Sequence, residues 1–397
     1  MFFDLIEAVT SLYENVSYES LVIINFVFLG ALYGYLKLSP NQEGNYIELY
    51  RAMGFKGDLY PSKLILRDDH VCFHNIPPVS MNEDFWRSKF SLLSNFFNDS
   101  AIDVEIFGNR SDKKMAKILF DRLPESFTAD FSKIELKPME VYLGVNQYGN
   151  NVIVSLMNSA SIYIDGKPGS GKSVALKSII ESYLKSFGDS LNDSPLEVFI
   201  VTTKTGDFSY LKNRKKLKLT LVDIFDPDID LSRQCDLIVD SLGELKDAQK
   251  EFNRVIERLD LSDAGNLEGL RQRGEDISFP RRIYIFDEAK DYLSKEKGDS
   301  KEEIEAKQRL VKAIGTHLRR NARFLSVPVI VAAQVQNEND LDISLKSFHL
   351  RLCSNTNEAM SRQLTGSTLL TDPSFTKGKF YLKTQNDEHI LKVPLVE

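Results

Sequence analysis

The sequence predicts an α/β domain in which helices flank a mostly parallel sheet, preceded by a small α+β module and an N-terminal transmembrane helix. After position 139, short apolar runs typical of buried strands alternate with helical stretches, and this alternation favours a parallel sheet. The runs that we expect to form these strands and helices are 160–164, 174–187, 198–201, 283–286 and 327–332. We therefore place the larger domain at 139–397.

The composition is that of a globular chain. Of the 397 residues, 42% are hydrophobic and 27% are charged, which excludes a disordered or collagen-like protein. The three cysteines are far apart and odd in number, so we expect neither a disulfide framework nor a zinc site built from paired cysteines. The net charge of −7 gives no general basic surface, and binding of a polyanion therefore requires local basic patches.

An uncharged stretch near the N-terminus predicts a membrane anchor. Residues 20–36 contain no charged side chain, and at about 1.5 Å per residue they reach roughly 25 Å, close to the thickness of a hydrocarbon core. We expect a single transmembrane helix at 20–38, with residues 1–19 outside the cytoplasm. The alternatives are a buried core helix and a cleaved signal peptide, but residues 1–19 contain no Lys or Arg, which disfavours a signal peptide.

Basic residues follow this stretch and set its expected orientation. They are Lys37, Arg51 and Lys56. Since the cytoplasmic flanks of membrane spans are enriched in Lys and Arg, we expect the remainder of the chain in the cytoplasm, at the cell (inner) membrane. Residues 39–138 then form a juxtamembrane linker and the small α+β module, with strands predicted at 64–73 and 102–107 and a helix at 82–97. Trp86 is expected in the core of this module.

A glycine-rich motif of the form GxxxxGK[ST] lies between a predicted strand and a predicted helix. It comprises Gly166, Lys167, Pro168, Gly169, Ser170, Gly171, Lys172 and Ser173, and Val174 follows it. In such a loop the glycines let backbone N–H groups surround a β-phosphate, and the helix N-terminus adds partial positive charge. Lys172 is expected to neutralise the β- and γ-phosphates and Ser173 to ligate Mg²⁺. The motif therefore predicts binding of ATP with Mg²⁺.

Polar residues end two later strands of the same predicted sheet. Asp287 and Glu288 follow the apolar run 283–286, and Gln334 follows the run 327–332 and Ala333. We expect Asp287 to hold the Mg²⁺ and Glu288 to deprotonate the attacking water. The Gln334 amide is suited to contact the γ-phosphate or that water, although a surface glutamine is the simpler interpretation. Together these residues predict Mg²⁺-dependent hydrolysis of a nucleoside triphosphate.

This ordered series of motifs resembles that of the FtsK/SpoIIIE branch of the FtsK–HerA DNA motor ATPases. The segments that carry the resemblance are 143–152, 166–180, 202–204, 251–255, 287–292, 323–334, 348–352 and 361–364. The family's Asp-Pro-Lys is replaced here by Thr202, Thr203 and Lys204, so the lysine is kept and the acid is lost. The resemblance covers 139–397 and implies a RecA-like P-loop NTPase.

The resemblance also implies a homohexameric ring that passes DNA through a central channel. In such a ring ATP lies between subunits, and a neighbouring subunit supplies an arginine. By motif position this arginine is Arg323 or Arg362, with Arg319 and Arg320 as nearby alternatives. Channel contacts to phosphates need Lys or Arg. The candidates, each equally compatible with a solvated surface, are Arg271, Arg273, Lys346, Lys212, Arg214, Lys215, Lys216 and Lys218.

The favoured function is therefore that of a membrane-anchored, ATP-driven DNA translocase that moves DNA for conjugation or another mobile-element process. A relaxase or a secretion channel is then the expected partner. Because the sequence stops without the family's winged-helix domain, we do not expect sequence-directed movement. The alternative is an ATPase that powers protein secretion, although such motors commonly carry tandem ATPase domains. A third interpretation is a membrane-tethered regulatory ATPase that moves no substrate.

Overall fold

The computed structural model describes residues 46–56, 61, 63–77, 80, 82–108, 114–157, 159–188, 195–259, 265–275, 277–335 and 340–396. The predicted transmembrane helix at 20–38 and the segment 1–19 lie outside the described residues. Among the residues that are described, no helix combines the length and apolar character needed to cross a membrane. The chain divides into two compact units, Met1–Asp121 and Arg122–Glu397.

In its described residues, the smaller unit contains an antiparallel sheet of four strands and three short helices. The strands are β1 (Lys63–Leu66), β2 (His70–His74), β3 (Ala101–Phe107) and β4 (Met115–Phe120), and the helices are α1 (Ile47–Ala52), α2 (Glu83–Arg87) and α3 (Phe90–Phe97). The strand order is β1-β2-β4-β3. Trp86 is fully buried, its Nε1 donates to the Ser80 carbonyl at 2.7 Å, and its predicted place in the core is confirmed.

Two predictions for this unit need correction. The single strand predicted at 64–73 is wrong, because the Arg67 N–H donates to the His70 carbonyl at 2.8 Å and the chain reverses there to pair β1 with β2. The single helix predicted at 82–97 is divided into α2 and α3, since the helix ends at Arg87 and restarts at Phe90. The strand predicted at 102–107 is confirmed by β3, whereas β4 was not predicted.

The larger unit is built on a sheet of ten strands. These are β5 (Glu140–Asn146), β6 (Asn151–Ser155), β7 (Ser161–Asp165), β8 (Leu196–Thr202), β9 (Leu217–Asp223), β10 (Arg282–Phe286), β11 (Val329–Ala333), β12 (Leu350–Cys353), β13 (Lys379–Lys383) and β14 (Glu388–Lys392). The strand order is β6-β5-β14-β13-β12-β7-β11-β10-β8-β9. The half from β12 to β9 is parallel, as predicted. The half from β6 to β13 is antiparallel, so the whole sheet is mixed.

Helices cover both faces of this sheet. They are α4 (Lys172–Phe187), α5 (Leu231–Gly243), α6 (Leu245–Leu259), α7 (Leu267–Gln272), α8 (Lys290–Leu293), α9 (Lys301–Thr316) and α10 (Glu358–Thr365). Alternate residues of a strand point to opposite faces, and β10 illustrates this in the buried clusters. Ile283 and Ile285 belong to the cluster that includes α4, while Tyr284 and Phe286 belong to the cluster that includes α5 and α9. The α/β class predicted from the sequence is confirmed.

Residues 122–138, which the sequence analysis grouped with the small module, belong to the larger unit. The Arg122 N–H donates to the Gln147 carbonyl at 2.9 Å, and the Leu395 N–H donates to the Phe127 carbonyl at 2.8 Å. An isolated bridge joins Thr128 to Leu395. These backbone hydrogen bonds tie the segment to the antiparallel half of the ten-stranded sheet.

Candidate active site

The carboxyl ends of four parallel strands bring the predicted site residues to one edge of the sheet. The order β7-β11-β10-β8 places β11 between the strand that leads into the glycine-rich loop and the strand that ends before Asp287. Gln334, directly after β11, therefore lies between the loop and Glu288. Ligands of open α/β sheets bind at this edge, beyond the carboxyl ends of the strands.

Backbone geometry explains the glycines of the loop that joins β7 to α4. Gly171 has φ +105°, and a Cβ there would lie 3.1 Å from the Gly378 nitrogen. The Gly378 N–H itself donates to the Ser170 carbonyl at 2.8 Å, and the Lys167 N–H donates to the Asn355 carbonyl at 3.0 Å. Backbone hydrogen bonds to the segments around 355 and 378 therefore fix the base of the loop, while residues 167–169 at its tip are exposed.

The loop lysine is folded back into this structure. Lys172 opens α4, and its Nζ donates to the Gly166 carbonyl at 2.8 Å. Burial lowers the pKa of Lys172, and the charges of Glu288, Asp165 and Asp287 oppose that shift. Ser173, the predicted metal ligand, and Val174 follow in the first turn of α4 and are half-buried. The helix N-terminus and Lys172 make this end of the loop suitable for phosphate groups.

The predicted metal-binding carboxylate lies in a buried position. Asp287 is 1% exposed, and the Thr202 Oγ1 donates to its Oδ2 at 3.1 Å. Burial, with a smaller contribution from the charge of Glu288, raises the pKa of Asp287 to about 6. A buried carboxylate with a raised pKa is one whose charge is poorly compensated by the protein alone, and a cation beside it would stabilise the ionised form.

The predicted base is held by two side chains. The Lys204 Nζ donates to the Glu288 Oε1 at 2.7 Å, and the Gln334 Nε2 lies 3.0 Å from Oε2 and 3.2 Å from Oε1. Partial burial alone raises the pKa of Glu288, but the hydrogen bond from Lys204 and the charge of Lys172 outweigh it, and the pKa lies below its ordinary value. Glu288 also has φ +49°, a left-handed conformation that non-glycine residues rarely adopt.

Sequence reasoning missed one buried acid at this edge. Asp165, the last residue of β7, is 1% exposed, and its Oδ1 accepts from the Val335 N–H at 3.3 Å. Burial raises the pKa of Asp165 to about 6. Lys204 was noted only as a family lysine and Thr202 only as part of the same segment. An acid directly before the first glycine of the motif was the available signal for Asp165.

The two predicted arginines lie in different parts of the larger unit. Arg323 is exposed and precedes β11. The pKa of His349, which directly precedes β12, is lowered first by the burial of the histidine and second by the charge of Arg323. Arg323 therefore lies toward the amino ends of the strands. Arg362 lies on α10, where it pairs with Glu358 at 2.8 Å. Arg319 is exposed, and the side chain of Arg320 is outside the described part of the chain.

Several predicted DNA contacts have partners within the chain. Arg271 is wrong as a channel contact, because its side chain is 10% exposed and pairs with Glu268 at 3.1 Å. Arg214 pairs with Glu181 at 2.7 Å and remains half-exposed. Lys218 pairs with Glu197 at 2.6 Å. All of the candidates except Arg271 are exposed at the surface, namely Lys212, Arg214, Lys215, Lys216, Lys218, Arg273 and Lys346.

Comparison with solved structures shows the fold of this chain. The monomer form of the pCW3 conjugation coupling protein TcpA with ATPγS has a TM-score of 0.58 and 19% identity, over 89% of this chain and 94% of that one. The cytoplasmic domain of the Thermomonospora curvata type VII secretion ATPase EccC has a TM-score of 0.51 and 18% identity, over 66% of this chain and 29% of that one.

A third similar structure is that of EssC (ATPases 2 and 3) from Geobacillus thermodenitrificans, with a TM-score of 0.50 and 13% identity over 69% of this chain and 47% of that one. No protein-family model matches the chain, and no curated protein is similar to it at a significant level. The three likenesses, together with the loop geometry, identify an α/β P-loop NTPase fold.

Proposed function

We propose that this protein is a Mg²⁺-dependent ATPase of the FtsK–HerA superfamily. The observation that carries the proposal is the meeting of Lys172, Asp287 and Glu288 at one edge of the sheet, where the charges of the two acids act on the lysine. Each has the side chain that phosphoryl transfer requires at that place: a cation for the phosphates, a carboxylate for a metal and a carboxylate for a water.

The residues present fit a magnesium ion. Mg²⁺ prefers hard oxygen ligands, usually one or two from the protein with the rest from phosphates and water. The Ser173 hydroxyl and the Asp287 carboxylate supply such oxygens, and the raised pKa of Asp287 marks a carboxylate that lacks a compensating charge. When bound, the ion neutralises charge on the β- and γ-phosphates.

The chain's own residues then account for hydrolysis. A water oxygen bonds to the γ-phosphorus while the bond to the β–γ bridging oxygen breaks, and the products are ADP and inorganic phosphate. The proton of the water passes to the Glu288 carboxylate. Lys172 leaves the Gly166 carbonyl to bind the phosphates, and Gln334 orients the water or Glu288. Arg323 or Arg362 of a neighbouring subunit would complete the site in a hexamer.

We further propose that hydrolysis drives movement of DNA at a membrane, with residues 20–38 as the anchor. Support comes from the likeness to TcpA, which extends over both units of this chain and which is named as a conjugation coupling protein. The likeness to EccC and EssC covers 66% and 69% of this chain. It supports the second candidate, an ATPase for protein secretion.

Stimulation of ATP turnover separates these candidates. The full-length protein is purified in detergent, and its ATPase rate is measured alone, with single-stranded DNA, with double-stranded DNA and with a secretion-signal peptide. DNA translocation predicts a rate increase with DNA and none with peptide, and the reverse supports secretion. A rate indifferent to all of them supports a regulatory ATPase. Glu288→Gln serves as the control, because turnover at the parent rate in that variant would refute the proposed chemistry.

A further inference from the structure

The carboxylate of Glu288 is already engaged on both oxygens by groups of the same chain. The Lys204 Nζ donates to Oε1 at 2.7 Å, and the Gln334 Nε2 lies 3.0 Å from Oε2. A general base needs a lone pair directed at the proton that it removes. Here the strongest hydrogen bond of the carboxylate is charge-assisted and comes from a lysine, so a water that approaches Oε1 must compete with this ion pair for the same oxygen.

Lys204 reaches Glu288 from the neighbouring strand. It lies just beyond the end of β8, which pairs with β10 in parallel register. The Lys204 N–H donates to the Thr202 Oγ1 at 3.0 Å, and that hydroxyl donates to the Asp287 Oδ2 at 3.1 Å. The ion pair therefore lies beside a second connection between the same two strand ends, and the pairing of the strands sets the separation of the two backbones.

The contact is not needed to hold the segment that follows Lys204. The 3₁₀ helix Thr205–Leu211 is anchored by Phe208 and Leu211, which are both fully buried. The side chain of Lys204, in contrast, is 55% exposed while that of Glu288 is 13% exposed. A long exposed side chain that ends on a nearly buried carboxylate is positioned to act on that carboxylate and to leave it without unfolding its surroundings.

We propose that Lys204 is a positioning residue that holds Glu288 in a resting position and so restrains hydrolysis. This inference rests on the proposed function, since it assigns Glu288 as the base. Release of the ion pair removes the lysine from Oε1 and opens that oxygen to the attacking water, while Gln334 keeps the carboxylate at the site. Because the pair is partly exposed, its loss is expected to raise turnover by a modest factor, about fivefold.

The test measures kcat and KM for ATP in the full-length protein without DNA. Lys204→Met removes the charge and keeps the length of the side chain, Lys204→Arg keeps the charge, and Lys185→Met replaces an exposed lysine in the last turn of α4 as a matched control. We expect about a fivefold higher kcat with little change in KM for Lys204→Met, and parent values for Lys204→Arg and Lys185→Met. In a Glu288→Gln background, Lys204→Met should produce no gain.

A kcat that falls or stays at the parent value in Lys204→Met overturns the inference, as does an equal gain in Lys185→Met. Lys204→Gln is the second variant, to be used if the methionine variant does not fold, and the same gain is expected. The two levels of the proposal fail differently. If Glu288→Gln hydrolyses ATP like the parent, the proposed function fails. If Glu288→Gln is inactive and Lys204→Met shows no gain, only the role of Lys204 fails.

Discussion

At the amino ends of β8 and β10 the charged groups are paired, whereas at the carboxyl edge of the same sheet two buried acids, Asp165 and Asp287, have charges that the protein does not fully compensate. Arg282 is bonded to Glu197 through its Nε at 2.7 Å and to Glu244 at 2.8 Å. Nearby, Glu268 forms ion pairs with both Arg271 and Arg281. These residues form closed ion-pair clusters that join β8, β10, α5 and α7.

The carboxyl edge is arranged differently. Asp165 and Asp287 are nearly inaccessible, and burial raises the pKa of each to about 6. Lys172 donates to a backbone carbonyl rather than to a carboxylate. Buried charge that is fully paired contributes to structure, while buried charge without full pairing costs stability and is typical of functional sites. This difference indicates that the carboxyl edge is the catalytic one. We therefore expect variants at the carboxyl edge to change ATPase activity and variants at the amino edge to change the free energy of unfolding.

The largest expected effect is on activity, at the carboxyl edge. Lys172→Ala should lower kcat/KM for ATP by about a thousandfold, because the β- and γ-phosphates lose their positive partner. The melting temperature should change little, since the lysine is buried at a cost to its charged form. Steady-state ATPase assays and a thermal melt check both parts. Turnover within tenfold of the parent would show that the edge is not the catalytic one.

At the amino edge the expected effect is on stability alone. Arg282→Met removes the cation that Glu197 and Glu244 share and leaves Glu197 with Lys218 alone. Because Arg282 and Glu197 are largely buried, this loss should cost about 2 to 3 kcal/mol. The ATPase rate at low temperature should stay near that of the parent. Urea unfolding together with ATPase assays tests this. A variant as stable as the parent, or one that is folded but inactive, would contradict the comparison.

The smallest expected effect concerns pH and Asp165. Because its folded pKa of about 6 exceeds the ordinary Asp value of about 3.9, the folded state binds a proton between about pH 4 and 6 that the unfolded state has released. Its contribution to stability therefore falls as pH rises through this window and stays low above it. Asp165→Asn should be more stable than the parent by about 2 kcal/mol at pH 8 and by little at pH 4.

Asp165→Asn isolates this group, because Asp287 has a similar raised pKa and is present in both proteins. Urea unfolding of parent and variant at pH 4, 5, 6, 7 and 8 gives the stability difference directly. A difference that is constant across the series would mean that Asp165 titrates normally in the folded protein.

The parts of the site that were predictable are those written in contiguous residues. The loop from Gly166 to Ser173 and the pair Asp287–Glu288 each follow an apolar strand, so a local pattern was enough. The contact of Lys204 with Glu288 depends on β8 lying beside β10, which is a matter of strand order and leaves no local signal. Arg271 was misjudged for a related reason, since its partner Glu268 is buried by tertiary packing.

The fold was predictable to the same extent. Buried parallel strands read as continuous apolar runs, and β7, β8, β10 and β11 were predicted for that reason. The other two strands of the parallel half, β9 and β12, were not predicted. The turn between β1 and β2 consists of Arg67, Asp68 and Asp69 and interrupts a segment that otherwise resembles one strand. In the larger unit, the antiparallel strands β13 and β14 pair with each other and with strands that are distant in the sequence. Their half-buried patterns carry weaker signals than the central strands.

The hydrogen bond from Gly378 to Ser170 has a consequence for biosynthesis. Gly378 directly precedes β13, and β14 closes the sheet against β5 from the start of the same unit. During translation the P-loop emerges from the ribosome long before these strands exist. Contacts between distant segments form late. The glycine-rich loop can therefore adopt its final conformation only after the segment from Gly378 to β14 has been synthesised and has packed against it.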